Sequence, residues 1–222
     1  MDKKAWVINL DRCPDNWTYM QQEWGHVFDL HRVSAVDAKA RGITGRDGCR
    51  LSHIQLFQQA AASPDPYTII MEDDVYRTAA WDTFWPKISE FLDKQYRDWD
   101  FISLDPNLVH DQPHITLHRY NGLFMRVNQF RNSGFIIYNN LFLERNLHKL
   151  QHLRGTFDMS FTHDPIYRKL TPSILLVRQR TDRISEITGK AVTHYGDLYD
   201  KTADILLVAA RKAAVMPGSD DA

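Results

Sequence analysis

Tyr67-Thr68-Ile69-Ile70-Met71-Glu72-Asp73-Asp74-Val75 is the stretch whose reading decides the fold. Residues 67–71 form a continuous apolar run of strand length, rich in β-branched and aromatic side chains, which predicts a strand covered on both faces. The run then meets three carboxylates in succession, where a buried strand surfaces. Adjacent carboxylates repel one another and are costly beside a core unless a cation offsets them. A hard divalent ion, Mg²⁺ or Mn²⁺, suits such oxygen ligands. In extended chain Glu72 and Asp74 project to one side and Asp73 to the other. Asp74 is therefore the expected metal ligand, Glu72 its same-face helper, and Asp73 the member that turns toward the protein. The alternative is an acidic strand end that caps a helix or pairs with an arginine.

Toward the N-terminus, residues 6–10 predict a strand, Pro14 a helix start, and residues 28–36 a second strand. The glycine-bearing, charged stretch 37–48 reads as a surface loop, and residues 51–61 as a helix opened by Ser52 and stopped by Ser63-Pro64-Asp65-Pro66. Toward the C-terminus, residues 81–96 predict an amphipathic helix, 101–104 a strand, and 105–113 a polar loop. Three short extended runs follow at 115–118, 123–127 and 134–138, then a helix over 140–153. Residues 165–170 read as a short helix, 174–177 as a last strand, and 198–213 as a final helix. Strands alternating with helices predict one α/β domain over residues 1–214, with a mixed, mostly parallel central sheet flanked by helices. A disordered tail is expected at 215–222. In such folds ligands gather at the carboxyl ends of the strands.

With 27 basic and 28 acidic residues among 222, the net charge is −1. No global field draws the chain to nucleic acid or to an anionic bilayer, so an anionic ligand must be met locally. Cys13 and Cys49 are the only cysteines, too few for a disulfide scaffold and in keeping with a reducing compartment. Neither has a histidine or carboxylate at zinc-ligand spacing. His110, His114 and His118 recur every four residues, but Pro113 breaks a helix there, and they are expected to face solvent. No signal peptide and no run of 18 apolar residues is present, which predicts a cytoplasmic protein without a transmembrane segment. The helix over 198–213 is amphipathic enough for peripheral membrane contact, although packing against the domain explains it equally.

Four ordered segments carry a family resemblance: Val7-Ile8-Asn9-Leu10-Asp11-Arg12, Gly48-Cys49-Arg50-Leu51-Ser52-His53, Ile70-Met71-Glu72-Asp73-Asp74-Val75, and Asn132-Ser133-Gly134-Phe135-Ile136-Ile137-Tyr138. They resemble the family 25 glycosyltransferases, the lipopolysaccharide-type galactosyl- and glucosyltransferases related to collagen-modifying enzymes. Asp164, Pro172 and Gln179 continue the likeness more weakly. The resemblance implies a nucleotide-binding fold of the GT-A type, in which a metal bridges the diphosphate of a sugar nucleotide. It also implies transfer of a hexose to a hydroxyl of a glycan or glycoprotein acceptor, with UDP the preferred nucleotide.

On that basis Asn9, Leu10, Asp11 and Arg12, at the end of the first strand, receive the nucleotide, Arg12 as a phosphate partner or else a surface salt bridge. Ala35, Val36 and Asp37 correspond to the family's segment around the nucleoside. Ser52 and His53 lie beside the donor, with Ser52 otherwise a helix N-cap, and Asn132, Ser133 and Gly134 face a sugar. His194 is either a further metal ligand or a histidine in a surface turn. If the transfer inverts configuration it needs a carboxylate base near the acceptor hydroxyl; Asp164 is the candidate, with a helix cap as its alternative role, and Asp158 the reserve. Two competing classes remain open at this point: a metal-dependent phosphohydrolase or nuclease, and a non-catalytic sugar-binding relative.

Overall fold

The computed structural model describes residues 3–94, 98–110, 114–155, 157–185, 189 and 191–215. Of the tail expected at 215–222, Val215 belongs to the last helix and residues 216–222 lie outside the described residues. In chain order the elements are β1 (Lys3–Asn9), α1 (Pro14–Trp24), β2 (Phe28–Ser34), α2 (Ala38–Arg41), α3 (Gly45–Ala61), β3 (Tyr67–Glu72), β4 (Val75–Arg77) and α4 (Trp81–Lys94). They continue as β5 (Phe101–Ser103), β6 (Leu117–Arg119), β7 (Phe124–Val127), β8 (Phe135–Asn139), α5 (Asn140–Gln151), α6 (Phe157–Thr162), β9 (Lys169–Pro172), β10 (Val177–Gln179) and α7 (Tyr195–Val215).

Eight strands form one sheet in the order β2-β1-β3-β8-β5-β9-β7-β6, and β4 pairs with β10 in a separate two-stranded ribbon. The parallel and antiparallel pairings leave β8 and β7 reversed and the other six strands running one way. The result is a mixed, mostly parallel α/β sheet with helices on both faces.

The period of two along each strand divides the core. Ala5 and Val7, Ile69 and Met71, and Phe135 and Ile137 join one apolar cluster with Met20, Trp24, Trp81 and Leu92. Ile8, Ile70, Ile136 and Tyr138 enter the other with Leu56, Phe57, Leu143 and Leu206. A sheet covered on both faces needs continuous apolar strands, which is why residues 67–71 carry no polar alternation.

The stretch 37–48 is not the surface loop its glycines suggest. Asp37 accepts from Lys39 N and Ala40 N to cap α2, and Thr44 accepts from Asp47 N to cap α3. Residue 48, inside α3, is glycine because a Cβ there would come within 2.9 Å of Val36 O. Ser52 is consequently a buried mid-helix residue and not an N-cap: its Oγ donates to Gly48 O and accepts from Val36 N, each at 2.8 Å. Residues 165–170 are not a helix either. Helix α6 comes earlier, and Lys169–Pro172 is a fully buried strand between β5 and β7. The last strand is β10, paired with β4, instead of residues 174–177. Helix α7 buries Tyr199, Thr202 and Leu206 and leaves Leu207 and Val208 exposed. No helix among the described residues is long and apolar enough to cross a membrane.

Candidate active site

The chain runs from β1 outward to β2, then returns to β3 on the other side of β1. That reversal opens a crevice beyond the carboxyl ends of β1 and β3, the place where α/β sheets bind ligands. Ile8 pairs with Glu72 in register, so the acidic triplet emerges beside Asn9. Asn9 Nδ2 spans the crevice and donates to Asp73 Oδ2 at 2.6 Å, and Asn16 Nδ2 donates to the same oxygen at 3.1 Å.

Beyond Glu72 the strand gives way to a turn at residues 73–74. Glu72 and Asp74 nonetheless converge: Gln179 Nε2 lies 3.4 Å from Glu72 Oε2 and 3.5 Å from Asp74 Oδ1. Asp73 is held instead by Asn9 and Asn16. Glu72 Oε1 accepts from Ser133 Oγ at 2.8 Å and lies 3.4 Å from His53 Nε2. Burial pushes the Glu72 carboxyl up, but the His53 and Ser133 hydrogen bonds outweigh it and hold the group below the usual carboxylate range. Among the described residues Asp74 has only the long Gln179 contact in their place. Burial, with Glu72 and Asp73 close by, carries it to about 7 against the pull of Arg183.

Opposite the triplet a second group of polar side chains closes the site. Asp105, at the end of β5, is fully buried; its Oδ1 accepts from Phe135 N at 2.9 Å and its Oδ2 from Asn132 Nδ2 at 3.1 Å. Burial raises its carboxyl well above the ordinary value. A Cβ on Gly134 would stand 2.5 Å from Asp105 Oδ2, so only glycine allows this approach. Asn132 takes a positive φ of 90°, which asparagine tolerates better than most residues. Its Nδ2 also donates to the Tyr199 hydroxyl at 2.6 Å, and its backbone N–H donates to Asp158 Oδ2 at 3.1 Å.

The triplet, His53, Asn132, Ser133, Gln179 and Tyr199 line one cavity of about 650 Å³, with Asp105 behind them, within the usual range for small-ligand sites. Glu72, Asp73, Asp74 and Asp158 share it with Arg12, Lys39, Arg46, Arg131 and Arg183. Leu10, Ala35, Val36, Ser52, His53, Asn132 and Ser133 also line it.

The other expected site residues stand apart. Asn9 and Gly134 act from behind the lining residues. Asp11 accepts from Arg32 and Ser34, and Asp37 from Arg12 at 2.9 Å. His194 is exposed, edge-on to Tyr195, and outside the cavity lining. Asp164 is outside it as well: Lys149 Nζ lies 2.6 Å from its Oδ2, and that hydrogen bond, ahead of the smaller opposing effect of burial, holds its carboxyl low.

Three features escape the sequence reading. Asp105 carries the signal of a carboxylate at a strand end on the same sheet edge. Cys49 and His53 fall one turn apart once α3 begins at Gly45, and with Glu72 their ligand atoms lie within 4.8 Å of one another. This overturns the expectation that neither cysteine has metal-binding neighbours. Burial, and the acids around it, push the Cys49 thiol well above its usual value. His110, expected to face solvent only, is exposed but borders the cavity.

Residues 39–155, more than half of the chain, match glycosyltransferase family 25 (LPS biosynthesis protein). The chain belongs to that family. It is therefore a glycosyltransferase. No curated protein matches it. Among solved structures this transferase is similar to A197 from STIV at 12% identity, with 82% of this chain and 87% of that chain covered and a TM-score of 0.47. It is similar to the galactosyltransferase LgtC, solved with donor and acceptor sugar analogs, at 8% identity over 89% and 95% of the two chains, TM-score 0.44. HddC from Yersinia pseudotuberculosis gives 11% identity over 90% and 79%, TM-score 0.42.

Proposed function

We propose that this transferase moves a hexosyl group from a nucleoside diphosphate sugar, UDP by the family resemblance, to a hydroxyl of a glycan or glycoprotein, with inversion and with a divalent cation. The observation that carries the reading is the cavity's double character: carboxylates at the carboxyl end of β3 beside the guanidinium groups of Arg12, Arg131 and Arg183. A sugar nucleotide with its cation presents both complementary charges, anionic phosphates and a positive ion.

The residues present fit a hard cation. Glu72 and Asp74 converge on one point, and Asp74, carried to about 7, is a carboxylate whose negative charge is insufficiently offset. The cation when bound neutralises charge on the departing diphosphate. Asp74 and Glu72 are its holders, while Ser133 and His53 fix the Glu72 carboxylate and Asn9 fixes Asp73 away from it. Arg12 and Arg131 offer forked donors to phosphate oxygens.

In the transfer, the acceptor oxygen bonds to the anomeric carbon as that carbon's bond to the diphosphate breaks. The hydroxyl proton passes to a carboxylate. Asp158 is the base in this reading, because it lines the cavity and its carboxylate is oriented by Asn132 N and Met159 N. Asp164 is a structural residue, ion-paired with Lys149.

The test is a panel of nucleotide sugars assayed with Mn²⁺ and hydroxyl acceptors. Acceptor-dependent release of nucleoside diphosphate, lost in Asp74→Ala and with a chelator, is the expected result. Cleavage of nucleic acid or phosphomonoesters without any such release sinks the proposal.

A further inference from the structure

Arg183 lies over the acidic triplet without closing onto it. Its Nη1 stands 3.5 Å from Asp73 Oδ1 and 3.6 Å from Asp74 Oδ2, with all three side chains largely buried. A permanent guanidinium–carboxylate link forks at about 2.7–2.9 Å. Nη1 is buried and makes no hydrogen bond among the described residues. Arg180, three positions earlier, shows the contrast: its Nε and Nη2 meet the two oxygens of Asp182 at 3.0 and 2.8 Å. The backbone around Arg183 is fixed by Val192 N donating to its carbonyl at 3.3 Å and by the bridge between Ile184 and Ala191. Only the side chain needs to change rotamer for the guanidinium to leave.

We propose that Arg183 is a placeholder cation: without nucleotide its guanidinium holds the place beside Asp74 that a divalent ion requires, and the donor diphosphate draws it away. This rests on the reading of the triplet as a cation site. Two like charges within 4 Å of the same carboxylate repel, so Arg183 and the ion compete for Asp74. A diphosphate removes the competition by offering the guanidinium a bidentate anion of its own in the same cavity. Cation and nucleotide then strengthen each other's binding by an equal factor, as linkage requires. The enzyme thus avoids loading a cation until a donor arrives.

The experiment measures Mn²⁺ binding to the full chain from the electron paramagnetic resonance signal of the free ion, with and without UDP. In the wild type, UDP tightens Mn²⁺ binding by about tenfold or more, within the usual span of coupling between sites. Arg183→Gln and Arg183→Met bind Mn²⁺ about tenfold more tightly than wild type without UDP, and UDP adds little further. Arg183→Lys, which keeps the charge, stays near wild type, as does Arg180→Gln. Thermal melting confirms that each variant is folded, and either neutral variant suffices. The proposal is overturned if both neutral variants bind Mn²⁺ no more tightly than wild type, or if Arg180→Gln tightens binding as much. Mn²⁺ binding that Asp74→Ala removes but both neutral Arg183 variants leave unchanged overturns this inference alone. Absence of Mn²⁺ binding in every protein, with and without UDP, overturns the cation site with it.

Discussion

The Ser133 hydroxyl donates a 2.8 Å hydrogen bond to Glu72 Oε1. It joins β3 to the chain entering β8, two antiparallel neighbours of the central sheet, and sets the direction in which the Glu72 carboxylate faces the cavity. A hydrogen bond to a charged acceptor contributes about 1.5–3 kcal/mol. Ser133→Ala is therefore expected to weaken Mn²⁺ binding in the presence of UDP by roughly tenfold or more, read by calorimetry. Unchanged affinity would show that Ser133 does not orient a ligand.

Asp158 and Asp164 separate under substitution. Asp158→Asn removes a cavity carboxylate and should lower kcat by about 10²–10⁴, the usual contribution of a general base, while leaving the UDP dissociation constant near wild type. Asp164→Asn should leave kcat within about twofold and cost less than about 1 kcal/mol of stability, since its partner Lys149 is half exposed. A kcat collapse in Asp164→Asn with an active Asp158→Asn reverses the assignment.

Asn132 combines a positive φ of 90° with hydrogen bonds to Asp105 and Tyr199. Asn132→Gly keeps the backbone conformation and loses the side-chain bonds. Asn132→Ala loses both the bonds and the tolerance of that φ, adding about 1–2 kcal/mol. Chemical denaturation should rank wild type above Asn132→Gly, and Asn132→Gly above Asn132→Ala. Equal stability of the two variants would remove backbone strain from the explanation.

Lys169 is almost fully buried in β9 and donates to Asp164 O. Burial lowers its ammonium to about 8, against an unfolded value of about 10.4. Below pH 8 both states hold the proton and the burial cost is fully present. Between about 8 and 10.4 the unfolded chain binds the extra proton, so stability rises with pH. Relative to Lys169→Met, the wild type should gain stability between pH 7.5 and pH 9.5, as followed by urea denaturation. A difference independent of pH would place the Lys169 titration elsewhere.

Much of the layout is legible because strand period and apolar content act locally. Residues 67–71 read as a doubly covered strand and occupy the middle of the sheet. The start of α3 is legible from Thr44 followed by Asp47 in the pattern of a helix cap, but Gly45 and Gly48 argue locally against a helix. With the helix start misplaced, Cys49 and His53 lost their one-turn spacing and Ser52 gained a capping role it does not have. Strand β9 was hidden for a different reason. Lys169 and Pro172 are weak strand formers, and only the company of β5 and β7 makes them extended. Of the candidate site, the triplet and Asn132-Ser133-Gly134 announce themselves as short motifs. Arg183 and Tyr199 do not, because they meet Asp73 and Asn132 across more than 60 residues of chain, a distance no local pattern reports.

The most direct measurement is the anomalous signal of manganese in crystals of the protein grown with Mn²⁺ and UDP. The account predicts a peak coordinated by Asp74 and Glu72 at the end of β3, with the UDP diphosphate beside it and Arg183 turned from the triplet toward phosphate. A peak held by Cys49 and His53 with Asp74 uncoordinated, or a nucleotide bound outside this cavity, would contradict it.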